Sequence, residues 1–216
     1  MIKSFDELSI KKYRELIELE KIDDTEYGLQ ILSILSDIEI DELLDMPLDD
    51  FTKLMGQTKF IYGNVERMDY KKLGKKITIN GKEYRLVKNA RDLSAGQYID
   101  YKAYIQRENF WKMLPYILTI FLIPEGHKYN NGYDVVELAN EFDEHLNLPT
   151  ALTISDFFLH QSTLSIKSSV TSLKWMMKRM AKREKNQEMK EKIQSCLEQL
   201  ESLQNLLRVG DGFIAQ

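Results

Sequence analysis

A metal or acid–base site in this chain would draw on three imidazoles, His127, His145 and His160, and one thiol, Cys196. Glu141 and His145 stand four residues apart, one turn of a predicted helix, but a zinc site needs three or four convergent ligands. The other histidines are scattered, so no metal or other cofactor is expected. The chain contains no Gly-x-x-x-x-Gly-Lys phosphate loop, no Gly-x-Gly-x-x-Gly turn and no Gly-x-Ser-x-Gly elbow. The acidic pairs Asp23-Asp24 and Asp49-Asp50 suit solvated helix starts better than paired catalytic carboxylates. No catalytic residue is assigned, and the expectation is a protein that is not an enzyme.

The sharper chemistry is electrostatic. Lys174, Lys178, Arg179, Lys182, Arg183 and Lys185 place six cations within twelve positions, beside Trp175. Three occupants suit such a patch: phosphate of a nucleic acid, bound by charge neutralisation; an acidic protein surface; or solvent alone, along the polar face of a helix. The acidity of the whole chain, with net charge −4, favours the solvated face over nucleic acid. Tyr98, Tyr101, Tyr104, Phe110, Trp111 and Tyr116 follow helical spacing and read as core rather than as a ligand groove. Phe157-Phe158 reads the same way, while Met176, Met177 and Met180 suit a seam or an adaptable contact surface.

Positioning these residues requires a folded chain, and the composition supplies one: 43% hydrophobic and 30% charged residues are ordinary for a globular protein. A single cysteine cannot form an internal disulfide, which fits a reducing compartment. The N-terminal residues lack a secretory pattern. The most apolar run, Met113 to Pro124, is about half the ~20 residues of a membrane-spanning helix. A soluble, intracellular protein with no membrane partner is expected. Charge divides unevenly: residues 1–70 hold 17 acidic against 8 basic side chains, net −9, and residues 71–216 hold 22 basic against 17 acidic, net +5.

Three regions follow. Residues 1–70 form an acidic helical layer, with a Ser4-x-x-Glu7 capping-box spacing, a helix from Thr25 to Ser36 and a start near Leu48 after Pro47. Residues 71–160 open on a β-hairpin, in which Ile77 and Ile79 alternate with Thr78, Asn80-Gly81 turns the chain, and Tyr84, Leu86 and Val87 return it. Helices capped by Ser94 and Asn109 follow, the second apolar around most of its circumference, then a turn-rich loop over 123–133 and a helix opening at Asp134. Residues 161–216 carry two heptad seams, Ile166, Val170, Leu173, Met177 and Met180, then Met189, Ile193, Cys196, Leu200, Leu203 and Leu207. A turn at Arg183 to Asn186 folds them into an antiparallel hairpin, or they run on as one helix stopping at Gly210. The second seam is the candidate interface. The fold class is mainly α, with one small β-hairpin and a long C-terminal helical hairpin.

The hairpin Ile77 to Tyr84, the segment Asp92-Leu93-Ser94-Ala95-Gly96-Gln97-Tyr98-Ile99-Asp100 and the stretch Leu118 to Asn130 stand in an order that resembles structural and assembly proteins of tailed bacteriophages and prophages of Bacteroidetes, including the crAss-like group. The resemblance covers roughly residues 75–160, closing on Asp156-Phe157-Phe158-Leu159. It implies a virion-assembly role in the head-to-tail or tail region, with assembly in the bacterial host cytoplasm. One version is a ring or adaptor subunit near the portal, self-associating and touching portal or tail components. The other is a tail-assembly chaperone absent from finished particles. The resemblance carries over no functional site.

Overall fold

A computed structural model describes residues 1–21, 23–107, 109–184 and 186–209, leaving aside the side chains of residues 90, 162–169 and 203–209. The fold is mainly helical with one small antiparallel sheet. The chain divides into two compact units, Met1–Ser155 and Asp156–Gln216.

In the first unit, the acidic layer is built from α1 (Ile10–Ile17), α2 (Asp24–Ser36), α3 (Ile40–Leu44) and α4 (Leu48–Gln57). The anticipated box at Ser4 does not form. The Lys3 amide donates to the Glu7 carboxylate at 2.8 Å, while Ser4 caps nothing and Phe5–Glu7 forms a single 3-10 turn. The helix proper starts five residues later, where Ser9 accepts from the Lys12 amide. Asp23 caps α2 through the Thr25 and Glu26 amides, as the solvated-cap reading of Asp23-Asp24 requires.

Strands β1 (Lys76–Ile79) and β2 (Lys82–Leu86) form the expected hairpin. Asn80 (φ 48°) and Gly81 (φ 74°) both occupy the left-handed region, which an Asn-Gly pair tolerates and which matches the twist of the flanking strands. The hairpin is not alone. Residues Leu122–Pro124 form β3, antiparallel to β2, with Arg85 opposite Ile123 and Leu86 opposite Leu122. An isolated two-stranded hairpin is marginal in water, and a third strand together with a packed face supplies what it lacks.

Helices α5 (Ala95–Ile105) and α6 (Phe110–Phe121) deliver β3 to the sheet. Ser94 and Gln97 make a full capping box, and the buried Gln97 amide also donates to the Ile120 carbonyl at 2.6 Å, tying the start of α5 to the end of α6. Leu114, Leu118, Ile120 and Phe121 are fully buried, as a central helix must be. Of the aromatics expected in the core, Tyr101 is buried edge-on to Phe121, while Tyr104, Phe110, Trp111 and Tyr116 are half-buried, with Trp111 against both Tyr13 and Phe110, and Tyr98 instead stands 52% exposed on α5. The loop after β3 closes through Gly132, whose φ of 87° and contact with the His127 ring leave no room for a Cβ. Asp134 caps α7 (Val135–His145), and Phe142 meets Tyr84 on the inner face of the sheet.

Helix α8 (Leu148–Arg183) begins in the first unit, where the Leu148 amide donates to the Leu8 carbonyl. Its later residues and α9 (Gln187–Val209) make up the second unit. The chain turns between Arg183 and Gln187. Asn186 caps α9 through the Met189 amide, and Lys174 on α8 pairs with Glu201 on α9 at 3.2 Å, so the two helices run antiparallel. The hairpin alternative holds and the continuous helix does not. Lys185 and Gly210 lie outside the described residues.

Candidate functional site

Helical geometry in the second unit separates a buried seam from an exposed ridge. Val170, Ile193 and Leu197 are buried, with Cys196 and Leu200 at the margin. Leu197, four residues after Ile193, is the seam residue that a strict heptad reading misses. Leu173, Met176 and Met180 step by three and four along α8 and remain exposed, as does Met189 at the start of α9. Of the candidate interface residues, Met189 is therefore open, Ile193 is internal, Cys196 and Leu200 are half-buried, and the side chains of Leu203 and Leu207 lie outside the described residues, as does that of Ile166.

Cations flank this ridge. Lys178, Arg179, Lys182 and Arg183 are exposed and have no ion pair among the described residues. Lys174 is instead held by Glu201. The Arg179 guanidinium lies 5.3 Å from the centre of the Trp175 ring, and Trp175 itself is 61% exposed. Trp175, Thr171, Lys174 and Lys178 line a groove of about 290 Å³. The result is an apolar strip with a wide cationic border, suited to an acidic surface that is itself partly apolar.

The first unit carries a surface of that description. Between Asp37 and Asp50 the chain has seven carboxylates and no cation. Asp37 pairs with Lys12 and Asp50 with Lys53, whereas Asp41, Glu42, Asp45 and Asp49 are exposed with no ion pair among the described residues. Within this acidic run, Leu44 is 63% and Leu48 76% exposed. These leucines, at the end of α3 and the start of α4, are exposed among the described residues.

A third charged region escaped the sequence reading. From Lys71 to Arg91 the chain carries eight lysines and arginines against one glutamate, a bias as strong as the C-terminal cluster but diluted by the strand pattern. It lies around the sheet.

The remaining candidates do not converge. Glu141 accepts from Lys82 at 2.8 Å, and His145 is exposed at the end of α7. His127 packs against Tyr133 in the loop. Among the described residues, no group of three or more His, Cys, Asp or Glu side chains converges as a metal site. Among the described residues, no helix is long and apolar enough to cross a membrane. The class defined by these features is a mainly α protein with a small antiparallel sheet, an acidic helical layer and a basic C-terminal hairpin. The chain matches no protein-family model, and no curated protein and no solved structure matches it either.

Proposed function

We propose that this protein is a non-enzymatic bacteriophage assembly subunit that associates head to tail with copies of itself, as a ring or adaptor in the head-to-tail region of a virion. The observation that supports self-association is the presence of two exposed, complementary amphipathic surfaces: Leu44 and Leu48 among Asp41, Glu42, Asp45 and Asp49, and Leu173, Met176 and Met180 among Lys178, Arg179, Lys182 and Arg183. Different patches meeting across one interface make a heterologous contact, which closes into a ring when the rotation permits. Opposite charge sets the register, and the apolar strips supply area removed from water. The placement at the portal or tail rests on the resemblance of residues 75–160 to phage assembly proteins.

The test is a charge exchange. Asp41, Asp45 and Asp49 changed together to Lys lowers the assembly size in light scattering, as does Lys178, Arg179 and Lys182 changed together to Glu. An equimolar mixture of the two variants restores complementary charge at both contacts, one native and one reversed, and recovers alternating assemblies larger than a dimer. A parent protein that is monomeric at every concentration and salt overturns the reading. Imaging of purified virions then locates the subunit at the portal–tail vertex. Absence from particles, with binding to tail proteins during assembly, supports the chaperone alternative, and salt-sensitive binding of nucleic acid by the 174–185 stretch supports the nucleic-acid one.

A further inference from the structure

The outer face of the sheet holds an arrangement that self-association does not use. Directly paired residues share a face, so the register places Lys76, Arg85 and Ile123 in one row across the three strands. This is the face opposite Tyr84 and Leu86, which are buried against the core. Over the row opens a cleft of about 400 Å³, bounded on the helical side by Asp92 and Gln97. Its floor is apolar, from Val87 and Ile123, both buried, and no aromatic side chain lines it.

The charges around the cleft are sorted. Lys76 spans Glu83 at 3.0 Å and Glu125 at 3.3 Å, so its charge is taken up at the rim by two carboxylates that keep one negative charge between them. Lys88 donates to the Leu73 carbonyl, which fixes the ammonium without cancelling its charge. Arg85 and Lys75 have no ion pair among the described residues. Four cations and two carboxylates, Asp92 and Glu125, line the space, leaving it positive.

We propose that this cleft is a binding site for a small organic anion, whose carboxylate or phosphate is taken by Arg85 with Lys75 and Lys88 while its apolar part lies on Val87 and Ile123. The planar guanidinium fork matches either oxyanion. The volume sits at the small end of ligand pockets, which run from about 300 to 1,000 Å³. A nucleic acid fits poorly, because Asp92 and Glu125 repel an extended polyanion and nothing offers a base a stacking surface.

The experiment is titration of the full chain, labelled in its methyl groups and amides, with phenyl phosphate, phenylacetate and inorganic phosphate by nuclear magnetic resonance. At least one aryl probe produces saturable shifts at the Val87 and Ile123 methyls and the Arg85 amide. Arg85→Gln weakens that binding about tenfold, the loss of one charge-assisted bidentate contact, Lys75→Gln weakens it less, and the distant Lys59→Gln leaves it unchanged. The tighter aryl probe assigns the anion. Shifts that never saturate, or equal effects of Arg85→Gln and Lys59→Gln, overturn the site. Inorganic phosphate binding as tightly as phenyl phosphate overturns the role of the apolar floor.

Discussion

Arg14 on α1 grips Asp143 on α7 through two bonds, Nη1 to Oδ1 at 3.2 Å and Nη2 to Oδ2 at 2.6 Å, with both side chains largely covered. Burial raises the Asp143 pKa above the ordinary carboxylate value, and the guanidinium pulls it back only in part. Removing Arg14 leaves a covered carboxylate without its partner. Arg14→Ala is expected to cost about 2–3 kcal/mol of stability by denaturant unfolding and to move the Asp143 titration higher still in a carboxyl-carbon experiment. Tyr129 gives a second, alkaline signature. Its hydroxyl donates to Asp100 at 2.7 Å, and burial first, then that bond and the carboxylate charge, hold its pKa far above the ordinary 10.0. A group whose pKa is raised by folding contributes stability that is complete below its unfolded pKa and is lost as pH rises through its folded one. Stability therefore falls above pH 10, the ordinary tyrosine value. Tyr129→Phe is expected to be about 1 kcal/mol less stable at neutral pH, with a shallower alkaline decline. An unchanged alkaline slope would remove Tyr129 as a source of it.

Several helix starts were legible from a short polar cap, since Ser94, Asn109 and Asp134 open helices as their sequence context predicts, whereas near the N-terminus the cap is Ser9 and not the expected Ser4. The third strand was not legible. Met113 to Pro124 is one apolar run, and a fully buried helix turn and a buried strand have the same composition, so no periodicity marks the switch at Leu122. It becomes visible only through its partners, the Val87 amide reaching the Phe121 carbonyl and the Glu125 amide reaching Glu83. The second-unit seam shows the converse error. A repeat of 3.5 residues leads from Ile193 to Cys196 and Leu200, but a straight helix turns at 3.6 and drifts across a strict heptad, bringing Leu197 inward. Leu197→Ala is accordingly expected to cost about 2–3 kcal/mol, read as faster amide exchange in α8 and α9. Met180→Ala, at an exposed position, leaves exchange unchanged. Equal effects of the two would dissolve the distinction between seam and ridge.

At the scale of the whole molecule, charge is organised in blocks of sequence rather than dispersed, which is why the acidic layer and the C-terminal cluster could be found without coordinates. What composition could not reveal is that Leu44 and Leu48, and Leu173, Met176 and Met180, stand exposed among those charges, because exposure is settled by the elements around them. If the two surfaces meet between copies, screening weakens them. The Debye length falls from about 10 Å at 0.1 M salt to about 3 Å at 1 M. The mean assembly size is therefore expected to drop across that range in analytical ultracentrifugation, and a size independent of salt would leave the apolar strips as the sole contact.

The ridge is also rich in thioether sulfur. Met176 and Met180 on α8 and Met189 on α9 are all exposed, so mild peroxide should convert them to sulfoxides, polar groups that do not pack in an apolar seam. If copies associate through this ridge as proposed, assembly and oxidation compete for the same atoms. A subunit oxidised while free loses the surface by which it would associate, until a sulfoxide reductase restores it. A subunit already assembled shields the three sulfurs while Met68, exposed in the first unit, still reacts. The oxidation pattern, read by peptide mass, would record which copies had found a neighbour before the oxidant arrived.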